Sequence, residues 1–267
     1  MAMIPAMKIE PGRIRLVTFD LYDTLIELEP KRWERLSAVL TARGITHDPT
    51  ALKATDMVAE DYWTEINAIR PIRERDEDVQ DEIRIEYIRR WLQASGVVVD
   101  DATAAEIRHA YRAEYETHAR RSIPGMVDGY RVFPDVNRTM RRLREADVLC
   151  AVVSNADDDV TEFCTRLQFA HEMDLIVTSA LVGYEKPDVR TFQAALEPFD
   201  ISGPEALHVG DQPRSDVAGA LATGMRAALI DRYRRHRQEN HSVPIFHTLD
   251  ELVDEVLAIN EGVGVTA

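Results

Sequence analysis

Near the start of the chain, Arg15-Leu16-Val17-Thr18-Phe19-Asp20 is a short apolar run that ends in an acid, and Leu21-Tyr22-Asp23-Thr24-Leu25 follows it. Such a run of β-branched and aromatic residues before a turn is typical of a buried strand. Ligands of open α/β sheets bind beyond the carboxyl ends of the strands, so Asp20 would be placed for chemistry. An acid after a strand is also typical of a turn or a helix cap, so the rest of the chain has to decide.

Further predicted strands and turns also end in polar side chains. A hydroxyl and an amide can hold phosphate or carboxylate oxygens, and an ammonium group can offset clustered negative charge. Each of these signals is weak by itself, but their order along the chain is specific. The groups are Ser154 and Asn155 after Leu149–Val153, Lys186 within Gly183–Pro187, and Asp211 and Asp216 after Ala206–Gly210.

This order resembles the haloacid dehalogenase-like hydrolase superfamily, whose Asp nucleophile, Ser or Thr, Lys and late acidic pair come from successive strand ends. The resemblance covers residues 13–28 and the chain from about residue 127 onward. The superfamily places a threonine four positions after its nucleophile, and Thr24 stands four positions after Asp20. The resemblance therefore implies that Asp20 is the nucleophile, and that Tyr22 stands where the phosphatases usually carry a second Asp.

Tyr22 is the departure from the superfamily pattern with the clearest chemical consequence. The second Asp protonates the departing oxygen and later activates water, and a phenol with an ordinary pKa of about 10 suits neither task near neutral pH. The sequence therefore predicts slow turnover of phosphate esters, or a leaving group that needs no proton. Asp23 could be a displaced acid, but neighbouring residues of an extended stretch point to opposite sides. Asp23 is therefore interpreted as a substitute for the superfamily's usual turn glycine.

Two other functions remain open on the sequence. The haloacid dehalogenases, which work without metal, resemble this chain in having a tyrosine at the position of Tyr22. Two features argue against a metal-independent 2-haloacid dehalogenase. The spacing of Asp211 and Asp216 resembles that of the metal-dependent branch, and Phe192 stands where a dehalogenase would carry tyrosine. The second alternative is a binding protein that kept the fold and lost efficient catalysis.

The resemblance implies a magnesium site, which agrees with the preference of this small, hard cation for oxygen ligands. The implied reaction is attack by the nucleophile on phosphorus, and covalent catalysis divides one hard displacement into two easier ones. Asn155 would hold either the substrate or the loop. The implied catalytic residues are Asp20, Thr24, Ser154 and Lys186, the substrate contacts are Asn155 and Tyr22, and the metal ligands are Asp20, the Tyr22 carbonyl, Asp211 and Asp216.

The predicted fold class is α/β, a Rossmann-like parallel sheet with helices on both faces and an inserted α-helical cap. Apolar residues recur at helical spacing in four stretches of the insertion, so residues 29–126 are assigned to the cap and residues 1–28 and 127–267 to the core. By resemblance, the cap closes over the nucleophile and selects substrate. Arg70, Arg73 and Arg75, in the connection between two cap helices, could grip a substrate carboxylate or a second phosphate. A solvated loop is the expectation for them and for the basic run 232–237, because charge runs between helices usually face water.

Composition limits the partners and the compartment. A net charge of −15 argues against nucleic acid or an anionic membrane as a partner, so a small anionic substrate would rely on locally placed cations. No apolar run approaches a membrane span, and Met1–Met7 lacks the features of a targeting segment. Two cysteines form no disulfide framework, which favours a cytoplasmic protein. The substrate and the oligomeric state are not specified by the sequence.

Overall fold

The computed structural model describes residues 8–10 and 12–262. They form two compact units. The first, here called the core unit, comprises the described residues up to Glu27 and from Val132 onward, and the second, the cap unit, is Leu28–Arg131. The sequence assigned residues 29–126 to the cap. None of the helices within the described residues combines the length and the apolar character that crossing a membrane requires.

The core unit contains a six-stranded parallel sheet, which confirms the predicted fold class. The strands are β1 (Leu16–Phe19), β2 (Ile26–Leu28), β3 (Tyr130–Val132), β4 (Leu149–Ser154), β5 (Leu175–Thr178), β6 (Ala206–Gly210), β7 (Arg226–Ile230) and β8 (Ile245–Phe246). The order in the six-stranded sheet is β5-β4-β1-β6-β7-β8, with helices on both faces, and β2 and β3 form a separate two-stranded sheet. In register, Phe19 lies opposite both Val152 and Val209, so the carboxyl ends of β4, β1 and β6 meet at one edge.

The cap unit contains the four helices that the apolar spacing predicts. They are α1 (Arg32–Ala42), α2 (Pro49–Ile69), α3 (Glu77–Ala94) and α4 (Asp101–Ala119). The Asp48 side chain caps α2 by accepting the Thr50 N–H at 2.8 Å, and Asp100 caps α4 through the Thr103 N–H at 2.7 Å. The fully buried Trp91 belongs to an apolar cluster formed mainly from these helices, so it contributes to their packing.

Six α-helices complete the described core unit. They are α5 (Val136–Glu145), α6 (Thr161–Arg166), α7 (Ser179–Val182), α8 (Val189–Leu196), α9 (Ala218–Ala222) and α10 (Leu249–Asn260). Helix α6 begins at Thr161, whose N–H donates to the Asp159 carboxylate at 2.9 Å. A π-helical turn, Pro213–Val217, precedes α9 and continues into it.

Candidate active site

Asp20 lies directly after β1, at the edge where three strand ends meet. Its backbone N–H donates to the Val209 carbonyl at 2.8 Å, which ties the residue to β6. Asp20 is 7% exposed, and Ser154 and Asp211, at the ends of β4 and β6, are also buried. The sheet register therefore brings the polar groups that the sequence singled out on these strands to one edge.

Lys186 joins two of the acids. Its Nζ lies 2.6 Å from Asp20 Oδ1 and 2.6 Å from Asp216 Oδ1, in a buried position. Asn155 fixes the lysine's backbone, because Asn155 Oδ1 accepts the Lys186 N–H at 2.7 Å and Asn155 Nδ2 donates to the Lys186 carbonyl at 3.0 Å. Of the two roles expected for Asn155, this geometry supports the holding of the loop.

Asp216 is oriented by a residue that the sequence did not single out. The fully buried His208 approaches Asp216 Oδ1 through Nε2 at 3.3 Å, and its Nδ1 pairs with the Thr18 hydroxyl at 2.8 Å. The Gln212 N–H donates to Asp216 Oδ2 at 2.9 Å. Gly210 makes this approach possible, because a Cβ there would overlap the Asp216 carboxylate. His208 lies within β6, and the local sequence around it does not indicate a functional role.

Asp211 pairs with an arginine from the segment after β7. Arg235 Nη2 lies 3.1 Å from Asp211 Oδ2, and both side chains are nearly inaccessible. The expectation that this basic run is solvated is therefore wrong for Arg235, and it is also wrong for Arg232, whose guanidinium donates to the Thr24 carbonyl at 2.8 Å. Asp211 Oδ1 is buried and has no hydrogen-bond partner among the residues described.

Two hydroxyls of the site are buried without partners. Thr24 Oγ1 and Ser154 Oγ make no hydrogen bond within residues 8–10 and 12–262. Buried polar atoms in folded proteins are nearly always paired, so an unpaired hydroxyl near charged groups indicates a place for a ligand atom. Both hydroxyls can donate to an oxyanion.

Tyr22 and Asp23 occupy the turn after Asp20. Tyr22 is half-buried and forms an isolated bridge with Ile26. Asp23 has a φ of +57°, in the left-handed region where glycine is most at ease, and its Oδ1 accepts a hydrogen bond from the Tyr233 hydroxyl at 3.1 Å. This conformation is consistent with the interpretation of Asp23 as a substitute for a turn glycine.

The pKa values of the three acids shift in two directions, upward for Asp20 and Asp211 and downward for Asp216. Burial raises the pKa of Asp20 to about 7, although Lys186 opposes the rise, and burial with the nearby Asp23 raises the pKa of Asp211 well above its ordinary range. For Asp216, burial acts upward, but Lys186 and His208 outweigh it and lower the pKa. Asp216 is therefore the acid that stays ionised, while Asp20 titrates near neutrality.

The chemistry and spacing of the three acids fit a metal ion. One carboxylate oxygen from each of Asp20, Asp211 and Asp216 lies within 4.8 Å of the others, and all three residues are buried. Carboxylate oxygens are the donors that small hard cations prefer. The unpartnered Asp211 Oδ1 supplies a free acceptor, so the donor set fits a divalent cation such as Mg²⁺.

The sequence is similar to those of known proteins. The sequence pattern of the haloacid dehalogenase-like hydrolases matches residues 14–224. A phosphoserine phosphatase of Thermus thermophilus is 35% identical over 104 residues, which are 39% of this chain and 42% of that enzyme. The human haloacid dehalogenase-like hydrolase domain-containing protein 3 is 26% identical, with 82% of each chain covered.

Solved structures share the fold. A HAD-hydrolase of Bacillus subtilis bound to magnesium superposes with a TM-score of 0.58 at 16% identity, covering 92% of this chain and 99% of that one. The likeness at this identity concerns the fold alone. With the family pattern matching well over half of the sequence, the chain belongs to the haloacid dehalogenase-like hydrolase family.

Proposed function

We propose that this protein is a magnesium-dependent hydrolase of a small phosphorylated metabolite, and that it acts through an aspartyl-phosphate on Asp20. The observation that carries the proposal is the convergence of three buried carboxylates, within 4.8 Å of one another, at the ends of two strands and the following turn. The phosphoserine phosphatase, one of the phosphatases among its relatives, supports the phosphoryl class of substrate.

Asp20 supplies the nucleophile in this mechanism. A carboxylate oxygen of Asp20 attacks phosphorus, the bond from phosphorus to the ester oxygen breaks, and the phosphoryl group remains on the aspartate. Water then cleaves the acyl phosphate and restores the carboxylate, so that one hard displacement becomes two easier ones. The unpartnered Thr24 and Ser154 hydroxyls hold the phosphoryl oxygens by hydrogen bonds.

Positive charge has to balance the nucleophile and the phosphoryl group. Lys186 already contacts Asp20 and supplies one charge. Bound Mg²⁺ would neutralise charge on the nucleophile and on the phosphoryl oxygens. The residues that would hold it are Asp20, Asp211 and Asp216, together with the backbone carbonyl of Tyr22, which a change of side chain leaves in place.

Tyr22 shapes the expected substrate range. Its phenol is a poor proton donor to a departing alkoxide near neutral pH, so esters with stable leaving groups should react fastest. We assign substrate selection to the cap unit, as the family resemblance implies. The buried free thiols of Cys150 and Cys164 suit a reducing compartment, and we place the protein in the cytoplasm.

The test is release of inorganic phosphate from a panel that contains p-nitrophenyl phosphate, phosphoserine and sugar phosphates. We expect activity with Mg²⁺, loss of activity with EDTA, and recovery when Mg²⁺ is returned in excess. Asp20→Asn should abolish turnover, while Asp158→Asn, which changes an exposed acid after β4, should leave it unchanged. Mass spectrometry of protein quenched in acid should detect a phosphoryl group on the peptide that contains Asp20.

Three results would contradict the proposal in different ways. Full activity in EDTA would remove the metal. Release of halide from 2-chloropropionate without added metal would establish the dehalogenase alternative. Absence of turnover on both substrate classes, with p-nitrophenyl phosphate activity appearing in Tyr22→Asp, would establish a weakened site that now serves binding.

A further inference from the structure

The cap unit holds a cavity of about 460 Å³ that no step of the proposed hydrolysis involves. All its lining residues come from the cap unit. This volume is within the range of small-molecule sites in proteins. Its walls include Arg35 of α1, Glu60 and Trp63 of α2, Arg84 and Tyr87 of α3, and Tyr111 of α4.

Arg35 is a buried cavity residue whose guanidinium is only partly hydrogen-bonded. It is 5% exposed, and its Nη2 donates to the Tyr111 hydroxyl at 3.1 Å. Its guanidinium also faces the Tyr111 and Tyr115 rings, at 4.6 and 5.2 Å from their centroids. The Nε and Nη1 atoms have no hydrogen-bond partner in the described part of the chain, and no described carboxylate forms an ion pair with Arg35. Burying a cation without an anion beside it costs free energy. Arg35 therefore lacks the negatively charged partner that would offset this cost.

The charges around Arg35 do not supply that partner. Glu60 is the acid that lines the cavity, and it is already engaged by Arg32 and by the Tyr87 hydroxyl. Arg84 also lines the cavity and makes no ion pair with any residue in the described ranges. Two guanidinium groups without acidic partners thus face one space, in a chain whose net charge is −15. This local excess of positive charge favours an anionic ligand.

The remaining walls are aromatic. Trp63 and Tyr87 meet edge to face with ring centroids 6.0 Å apart, and Tyr111 lies on the side of Arg35. Flat apolar walls beside guanidinium groups suit a ligand that has both a ring and an oxyanion. Arg108 and Arg112, which also line the cavity, are paired with Asp81 and Glu116 at 2.8 Å each. Arg35 and Arg84 are therefore the lining arginines available to bind the oxyanion of such a ligand.

We propose that this cavity is an oxyanion-binding site of the cap unit, which takes a small molecule that joins a carboxylate or phosphate-type group to a flat apolar ring. Arg35 binds the anionic group, Arg84 adds charge, and the Trp63 and Tyr87 rings contact the apolar part. The proposal stands whether or not the core unit hydrolyses phosphate esters.

The chain offers a built-in probe for this site. Its three tryptophans, Trp33, Trp63 and Trp91, all belong to the cap unit, so tryptophan fluorescence reports on that unit. We would titrate the full chain with benzoate, with phenylphosphonate and with benzamide, a neutral analogue of similar shape. The expected result is saturable quenching by at least one of the two anions, with at least tenfold weaker binding of benzamide. Comparison of the two anions separates a carboxylate site from a phosphate-type site.

Variants assign the binding to Arg35. Arg35→Met should weaken anion binding at least tenfold, and Arg84→Met should weaken it about threefold. Arg43→Met is the matched control, because Arg43 is an exposed arginine of the cap that does not line the cavity, and it should bind as the wild type does. If circular dichroism shows that Arg35→Met is unfolded, Arg35→Lys and Arg84→Met carry the test.

The proposal fails if neither anion quenches the wild type, or if benzamide binds as tightly as the anions. It also fails if folded Arg35→Met, or Arg35→Lys and Arg84→Met together, bind with wild-type affinity. Repeating the titration with Asp20→Asn keeps the two proposals apart. Anion binding that persists in a variant without turnover supports the cap site, while turnover without anion binding overturns the cap site and leaves the proposed function intact.

Discussion

Tyr22 is the single side chain with the greatest expected effect on the rate. We predict that Tyr22→Asp raises turnover of an alkyl phosphate at pH 7 by about 10²- to 10⁴-fold, the range that a placed general acid contributes. The gain should be smaller for p-nitrophenyl phosphate, whose leaving group needs no proton. Initial rates on both esters measure it. Asp23→Asn is the control, and a large loss in that variant would instead identify Asp23 as the acid.

Gly210 should act on catalysis only through Asp216. A methyl group at position 210 would overlap the Asp216 carboxylate, which must then leave Lys186 and His208. We predict that Gly210→Ala raises the Mg²⁺ concentration for half-maximal activity at least tenfold. Asp216→Asn provides the comparison, measured in the same metal titration. The double variant should be no worse than Asp216→Asn, and additive losses would show that Gly210 has another role.

At the scale of elements, the segment after β7 connects the turn that follows Asp20 to the rest of the core unit. Arg232 donates to the Thr24 carbonyl and pairs with Asp135 at 2.6 Å, with the two side chains 5% and 10% exposed. Its guanidinium also lies 4.2 Å from the centre of the Phe133 ring. The segment therefore contributes to the position of the turn that follows Asp20.

We predict that Arg232→Met lowers the free energy of unfolding by about 3 kcal/mol, because it leaves the Asp135 carboxylate buried without its cation. Urea unfolding followed by circular dichroism measures the change. Arg234→Met removes the same charge two residues away from an exposed position and should change stability by less than about 0.5 kcal/mol. Equal effects of the two substitutions would mean that Arg232 acts only through the net charge of the run.

The elements also show what the sequence could predict. Asp20, Ser154 and Asp211 follow apolar runs, so local pattern alone places each at a strand end. His208 was not singled out and Arg235 was expected to be solvated, because the importance of both comes from partners that tertiary structure brings near, such as Thr18, which lies 190 positions from His208. A basic run looks solvated in sequence, and only the fold shows that some of its members are buried among acids.

At the scale of the whole molecule, stability depends on the charges gathered at the candidate site of the core unit, which are unbalanced among the described residues. Three acids, Asp20, Asp211 and Asp216, face two cations, Lys186 and Arg235. Ionisation is least favourable for Asp20 and Asp211, because burial raises the pKa values of both. A bound divalent cation would relieve this excess, so stability, pH and metal should be linked.

We predict that in EDTA the thermal unfolding midpoint falls as pH rises from 6.5 to 8.5. The folded protein holds the Asp20 proton with a pKa of about 7, against 3.8 for an ordinary Asp, so the stability that this proton provides is lost as pH passes through 7. Asp211 acts in the same direction, while the lowered pKa of Asp216 lies outside the window. Saturating Mg²⁺ should raise the midpoint, and more at pH 8.5 than at pH 6.5.

Asp20→Asn assigns this pH dependence to the buried acids. The variant cannot ionise at position 20, so its midpoint in EDTA should fall less steeply and exceed that of the wild type at pH 8.5 by ~2–4 °C for each kcal/mol of relieved charge. Asp158→Asn removes an exposed acid of the same core unit and should follow the wild-type curve. Parallel curves for all three proteins would mean that Asp20 is already ionised at pH 6.5, and that Lys186 outweighs the effect of burial.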